Sequence, residues 1–540
     1  MSNEALQSLS LKVLVEKEKT LVVFAESNED FVDVLFSFMT MPIGTIIRLG
    51  HEHSLEVDFG CLNNLYESVE NLDEELLQSV KCKDLLLCPR SAAEIYCRNL
   101  KFNFVNSDTN VYYACRDGHY LGPYFNARCD CGQSICYAYK INDFERTASQ
   151  KSHRIETKNS FMDPILSVDR DSGSGSLSDD GDFGFVRRTA RQPHLVLPRS
   201  LVPPVSLPQG GGVFVKPTAR FLITDDFHVK PMSTMTGLTL LSKLGATDRS
   251  TREERAISIG RDKVVKLLMR SLTSRAPFSE TILEPDVDRR NFGSFDKRYG
   301  PRSMNQSQRA VDATKNETNI TFKLIVHKSN NRALFVEAKE DFVDLIGSFL
   351  TFPLGYVFEK FSCLSLRGCL GNLYKSIQDL DCERFLKSED MKAKLVNPKL
   401  PPGLVLDKQL IPIKEASYPS LSTAKSLLVC SSLSSHKGEK IIGKGFIRGP
   451  SNFMVTDDLT ITPLSPISGI SFIDRLNIPH SDIFEQEMTM GEEEALRLLE
   501  AALVSKTALT DTFILTESKL KLYGNSHMIG KETLQQCNVE

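Results

Sequence analysis

The sequence predicts an α+β fold: two tandem copies of a two-part α+β module, with a Cys-rich hairpin and a disordered insert in copy one. Three observations predict it. The segment LKVLVEKEKTLVVFAESNEDFVDVLFSFMTMPIGTII, from Leu11, returns as FKLIVHKSNNRALFVEAKEDFVDLIGSFLTFPLGYVF, from Phe322, with more than a third of positions identical. A second unit, GVFVKPTARFLITDDFHVKPMSTMTGLTLLSKL from Gly212, returns as KGFIRGPSNFMVTDDLTITPLSPISGISFIDRL from Lys444. Short strand and helix patterns mix within each unit without a regular βαβ rhythm.

Element by element, Leu11–Val15 and Leu21–Ala25 are apolar runs around a charged EKEKT turn, the pattern of a β-hairpin. Asn28, Glu29 and Asp30 supply capping oxygens and negative charge for a helix start. Phe31, Val34, Leu35 and Phe38 keep helical spacing until Pro42 and Gly44 end the helix. Ile43–Leu49 reads as another strand and Gly60–Glu70 as a second helix. CLNNLYESVENLD, from Cys61, recurs as CLGNLYKSIQDLD, from Cys369. The second unit opens strand–turn–strand around Thr224, Asp225 and Asp226. Helical segments follow over Ser233–Leu244 and Asp262–Ser274, then a β-like stretch near Thr281–Leu283. The predicted organisation is 6–95, first unit of copy one; 96–145, Cys-rich hairpin; 146–210, disordered insert; and 211–285, second unit. A linker, 286–317, leads to 318–400, the first unit of copy two; 401–440, a linker or degenerate segment; and 441–520, its second unit. The two modules are expected to pack as a pseudo-symmetric pair.

The composition is globular: of 540 residues, 41% are hydrophobic and 25% charged, which excludes wholesale disorder, collagen and coiled coil. A net charge of −4 gives no general attraction to nucleic acid or anionic membrane. No apolar run approaches the roughly 20 residues a bilayer requires, and the N-terminus lacks a secretory pattern. The 13 cysteines are an odd number, eight of them between Cys61 and Cys136. This fits a reducing compartment, cytoplasmic or nuclear, with most thiols free.

The candidate chemical site is structural zinc. Cys115, His119, Cys129 and Cys131 form C-x3-H-x9-C-x-C, followed by Gly132. Zinc takes four N/S ligands in a tetrahedron, and close pairs joined by a loop supply them. Cys97 and Cys136 are substitutes for any one ligand; the alternative is a cluster of free thiols on a hairpin. Four protein ligands leave no open coordination position, so the metal would be structural, and copy two has no counterpart.

Other motifs have plainer readings. Asp225-Asp226 and Asp457-Asp458 occupy one repeated position, where paired carboxylates serve acid/base or cation chemistry, yet Thr-Asp-Asp between apolar runs is turn chemistry. Glu26, Asp30 and Asp33 recur as Glu337, Asp341 and Asp344; helix-start electrostatics covers most of them, with Asp33 on the solvent side. No G-x-S-x-G, phosphate loop or H-E-x-x-H is present, and Gly210–Gly212 reads as a flexible joint. Arg289–Arg302 interleaves basic and aromatic residues, a pattern for stacking on single strands or for a solvated linker. Ser176, Ser178 and Thr189 are phosphorylation candidates in the insert. Asn316 and Asn319 head chance glycosylation sequons.

The motifs FAESNEDFVDVLFSFMTMPIGTIIRL, CLNNLYESVENLD and FLITDDFHVKPMS closely resemble the plant domain-of-unknown-function family 674, over nearly the whole chain except the insert and linker. The resemblance implies a plant protein with tandem domains and no established activity or ligand. It also implies a cysteine region ending in C-x-C-G, matched here by Cys129, Cys131 and Gly132. The upstream half of that region carries two cysteines in the family; here Cys115 fits and His119 stands for the other.

The sequence therefore favours a non-enzymatic protein-interaction module with a structural zinc hairpin and no catalytic residues. Two alternatives differ in class. An enzyme would require the repeated acids Glu26, Asp30 or Asp225 to converge with their copy-two counterparts in a cleft. Nucleic-acid binding would use the Cys-rich hairpin and the basic linker. A deep pocket lined by both copies would count against the interaction reading.

Overall fold

The computed structural model describes residues 8–55, 58–104, 111–115, 121–124, 135–142, 212–245, 248–283, 319–361, 368–417, 429–432 and 445–515. The insert, the linker with Arg289–Arg302, Asn316 and the candidate phosphorylation sites lie outside the described residues.

Alternation builds the first strands. In β1 (Leu9–Glu16), Leu9, Leu11, Val13 and Val15 are buried while Ser10 and Lys12 face solvent. It pairs antiparallel with β2 (Leu21–Ser27) across a turn in which Thr20 takes φ 47°. Helix α1 (Glu29–Ser37) starts on two acids and runs into a 3-10 turn at Phe38–Thr40. Residues 43–49, read as a strand, instead belong to helix α2 (Ile43–Glu52). A short apolar run does not separate buried helix from buried strand. Here Pro42 stands as the N-cap of α2. Then come α3 (Leu62–Asn71), α4 (Val80–Leu87) and the single turn α5 (Glu94–Cys97). The Cys-rich region supplies β3 (Val111–Cys115), β4 (Leu121–Gly122) and β5 (Ile135–Asn142).

The second unit gives β6 (Phe221–Thr224), β7 (Val229–Pro231), α6 (Thr234–Lys243), β8 (Arg252–Ile259), α7 (Arg261–Thr273) and α8 (Pro277–Ile282). The β-like reading of Thr281–Leu283 is corrected: Pro277 starts a helix that runs to Ile282. After residue 319 the same succession recurs: β9 (Ile320–His327), β10 (Arg332–Lys339), α9 (Glu340–Ser348), a 3-10 turn, α10 (Leu354–Lys360) and α11 (Leu370–Asp379). Two more helices, α12 (Cys382–Phe385) and α13 (Glu389–Val396), precede β11 (Val429–Ser432). Then come β12 (Asn452–Thr456), β13 (Ile461–Pro463), α14 (Pro466–Arg475), β14 (Ile483–Met490), α15 (Glu492–Val504) and a π-turn at Thr510–Ile514.

Two five-stranded antiparallel sheets result, with orders β7-β6-β2-β1-β8 and β13-β12-β10-β9-β14. A third sheet, β11-β5-β3-β4, joins the Cys-rich strands to a strand from residues 429–432. The inner faces of the two large sheets share one continuous core. One helix covers the outer face of each: α6 over Leu14, Val23 and Phe24, and α14 over Ile325, Phe335 and Met454.

The two halves are interlocked reciprocally. At their centre Pro42 bridges Pro353; Ile43 N–H donates to the Phe352 carbonyl at 3.0 Å, and Leu354 N–H to the Met41 carbonyl at 2.9 Å. Farther out, each half's third helix packs on the other half's second unit. Ile461 N–H donates to Ser68 Oγ and Val229 N–H to Ser376 Oγ, both at 3.0 Å. The Asn64 amide donates to the Asp458 carbonyl, and the Asn372 amide to the Asp226 carbonyl. Leu77 bridges Ile447 as Val215 bridges Leu386. This is the exchange of equivalent elements seen in domain-swapped dimers, here within one chain.

Candidate functional site

Cys115 closes β3 and is buried. Of the other zinc candidates, His119, Cys129 and Cys131 lie outside the described residues. The strand register brackets them. Cys115 pairs with Ile135, and Ala114 with Leu121, so the described chain ends on either side of these candidates meet at one end of β3. Cys97 is buried on α5, 3.7 Å from Thr40 Oγ1, and burial pushes its thiol up to about 12. Cys136 is on β5. Among the described residues no three His, Cys, Asp or Glu side chains gather as a metal site.

The Cys-rich sheet rests on a buried ion network. Arg90 grips Glu94 with two bonds, Nε to Oε2 at 2.8 Å and Nη2 to Oε1 at 2.7 Å. Arg98 Nη2 and Tyr112 OH donate to the same Oε1 at 3.0 and 2.7 Å. Arg90 Nη1 also donates to the carbonyls of Val111 and Pro123, tying down β3 and the chain after β4. Its guanidinium lies 4.1 Å from the Tyr112 ring centroid. Burial opposes the Glu94 charge, but the adjoining Arg90, with Arg98 and Tyr112, outweighs it and holds the carboxyl below its ordinary value. Beside the network is a cavity of about 50 Å³, lined by Thr40, Thr45, Arg48, Arg90, Glu94 and Cys97 among others. That is room for about four waters. All its lining residues precede residue 105, so it is not a pocket shared by both copies.

Four of the repeated acids, Asp33, Asp225, Asp344 and Asp457, are bonded to backbone and hydroxyl groups within their own halves. Asp33, expected on the solvent side, is buried at 1% exposure. Its helix position turns inward because its carboxylate accepts the N–H groups of Val213, Phe214 and Val215, about 180 residues later. Asp344 accepts those of Phe446 and Ile447 in the same way. Asp225 accepts the N–H and hydroxyl of Ser279, and Asp457 those of Thr510. Asp226 and Asp458 accept from Thr224 and Thr456 inside their turns, as turn chemistry predicts. Glu26 and Glu337 are half-buried on β2 and β10, opposite Lys12 and Lys323. Asp30 and Asp341 sit in the first turns of α1 and α9.

Burial raises the carboxyls of Asp33 and Asp344 to about 7, against the lowering effect of the N–H bonds they accept. An unfolded aspartate releases its proton near 4. Between these values the folded chain binds more protons, so stability falls as pH rises from about 4 to 7. In urea titrations wild type is therefore expected to be more stable at about pH 5 than at pH 8. Asp33→Asn/Asp344→Asn, which cannot titrate at these positions, should shrink that difference to the part left by groups such as Asp225, which burial raises to about 6; an unchanged difference contradicts it.

A repeated surface feature escaped the sequence reading. On α6, Met235 is 69% and Leu238 52% exposed; on α14, Ile467 is 77% and Ile470 52% exposed. Leu244 and Leu476, the C-caps of the two helices, are also partly exposed. Scattered exposed apolar residues are ordinary, but these recur at matching positions in both halves. The signal is present in the second unit's repeat, offset by 232 residues, where apolar residues at helical spacing pass for core.

One family model, described as Protein of unknown function (DUF674), matches residues 5–167 and 206–493. No curated protein matches the chain. No solved structure matches it either. Among the described residues no helix is long and apolar enough to cross a membrane.

Proposed function

We propose, for a chain that belongs to the DUF674 family of proteins of unknown function, that it is a protein-interaction module rather than an enzyme. The observation that carries this reading is the pair of matching apolar faces on α6 and α14. Contiguous apolar patches on soluble chains mark sites where other surfaces dock. Four of the repeated carboxylates, Asp33, Asp344, Asp225 and Asp457, which an enzyme would need free and convergent, are bonded to backbone and hydroxyl groups of their own halves. The test is selection of displayed peptides on the immobilised full-length chain, with counter-selection on Met235→Gln/Leu238→Gln/Ile467→Gln/Ile470→Gln. Amphipathic sequences should enrich on wild type and vanish on the variant. Equal enrichment on both overturns the reading.

The zinc hairpin belongs to the same proposal. Cys115, His119, Cys129 and Cys131 hold one structural zinc that closes the loop between β3 and β5. Support comes from donor type, since thiolates and imidazole suit zinc, and from the strand pairing that returns the chain beside Cys115. Elemental analysis of purified protein should find near-stoichiometric zinc, lost in Cys129→Ser/Cys131→Ser. Metal absent from both proteins, or kept by the variant, refutes it. The chain then works in a reducing compartment, the cytoplasm or the nucleus.

A further inference from the structure

The two apolar faces differ in their surrounding charge. Strand alternation puts Lys12, Arg252 and Glu254 on the same sheet face as Leu14, beneath α6. Glu26 and Lys230 share that face, while Glu16 at its end is buried. Lys243 ends α6, and Lys19 donates to the Leu244 carbonyl at its C-terminus. Among the described residues the α6 rim thus carries five cations to two unburied acids. On the α14 side, Glu337, Glu485 and Glu487 share the Ile325 and Phe335 face with Lys323, Lys339 and Arg332. Asp474 and Arg475 end α14, and Asp482 adjoins β14. Here, among the described residues, five acids meet four cations, an excess of the opposite sign.

We infer that the occupant of each face is a second copy of this chain, bound head to tail, the α6 face of one copy on the α14 face of the next. This rests on the interaction reading above and names its partner. Matching like faces, α6 on α6 or α14 on α14, would bring rims of the same sign together. The head-to-tail arrangement pairs opposite rims around apolar centres. A contact between two different faces is heterologous, so each copy keeps one free face of either kind and association continues or closes into a ring.

The test is sedimentation velocity of the full-length chain at about 1 to 100 µM. Wild type should form species beyond the monomer, weakened by added salt because the rim pairs are screened. Met235→Gln/Leu238→Gln and Ile467→Gln/Ile470→Gln should each weaken association about tenfold or more. Glutamine keeps helix propensity, and an unchanged circular dichroism spectrum establishes that both variants are folded. Mixed in equal amounts, they retain one intact face each of opposite kind, so the mixture should form dimers and stop there. A monomeric wild type overturns the inference. So does either variant forming dimers alone as readily as the mixture, since that means like faces meet. Peptide selection separates the two readings: a monomeric chain that still selects amphipathic peptides has lost only this partner, and one that selects none has lost the interaction reading as well.

Discussion

Glu94→Ala is expected to destabilise the chain by about 3–5 kcal/mol, the usual cost of leaving buried charge without its partner. Two guanidiniums depend on that carboxylate. Arg90 and Arg98 side chains are 8% and 5% exposed, so neither turns to water without disrupting its surroundings. Tyr112 loses the acceptor for its hydroxyl at the same time. The damage should spread along a stated path. Arg90 fixes β3 through the Val111 carbonyl, so hydrogen exchange should quicken first at the β3 amides leading to Cys115. Glu94→Gln keeps an oxygen acceptor but not the charge, and its loss should be smaller. Urea unfolding checks the magnitude. A change below about 1 kcal/mol for Glu94→Ala would put this network in the class of surface pairs, contrary to its burial.

The proposed zinc site is coupled to this result. If the four candidate ligands gather where β3 and β5 leave and return, a loosened β3 delivers Cys115 poorly. Glu94→Ala should then lower zinc retention even with every ligand present, as loss of an outer-shell support does in metal sites.

Local rules made part of this molecule legible. Alternation in Leu9–Glu16 and helical spacing in Glu29–Ser37 are short-range signals, and both strands and helix formed where they point. The Thr-Asp-Asp turns were readable because Asp226 and Asp458 bond within two residues. Residues 43–49 pass for a strand when Pro42 and Gly44 are taken only as the end of the preceding helix; Pro42 instead caps α2, whose Ile43, Ile46 and Ile47 keep helical i, i+3, i+4 spacing. Strand β8 was passed over because Arg252, Glu253, Glu254 and Arg255 sit on a sheet edge, where charge is tolerated and discourages further pairing. Asp33 was assigned to solvent because its partners, Val213, Phe214 and Val215, come about 180 residues later. The reciprocal packing of the halves depends on contacts such as Asn64 with Asp458, 394 residues apart. No local pattern encodes that. Arg90, Glu94 and Arg98 do lie at i, i+4 spacing, a visible charge pattern, but only burial distinguishes it from a solvated helix face.

Gly368→Ala is the second large effect, because it strikes where one half enters the other. A Cβ at Gly368 would fall inside contact distance of the Ser271 carbonyl oxygen and close on the Leu272 backbone. The same junction holds the Cys369 N–H bond to that carbonyl at 2.9 Å. Backbone on backbone has no rotamer by which to yield, so α11 must retreat from α7. About 3 kcal/mol is the expected loss, the upper part of the range for overpacking. The equivalent junction makes the comparison stringent. Gly60 takes φ +59°, and its Cβ would lie 2.5 Å from the Ala502 carbonyl oxygen. Gly60→Ala therefore adds backbone strain to the clash and should cost at least as much. Because each half is completed by a helix from the other, neither variant should unfold one half alone. Both should keep a single cooperative transition by circular dichroism and fluorescence in urea, with the midpoint lowered and the slope unchanged. Two separated transitions, or an effect confined to amides after residue 319, would mean the halves fold independently and the reciprocal contacts are incidental to stability.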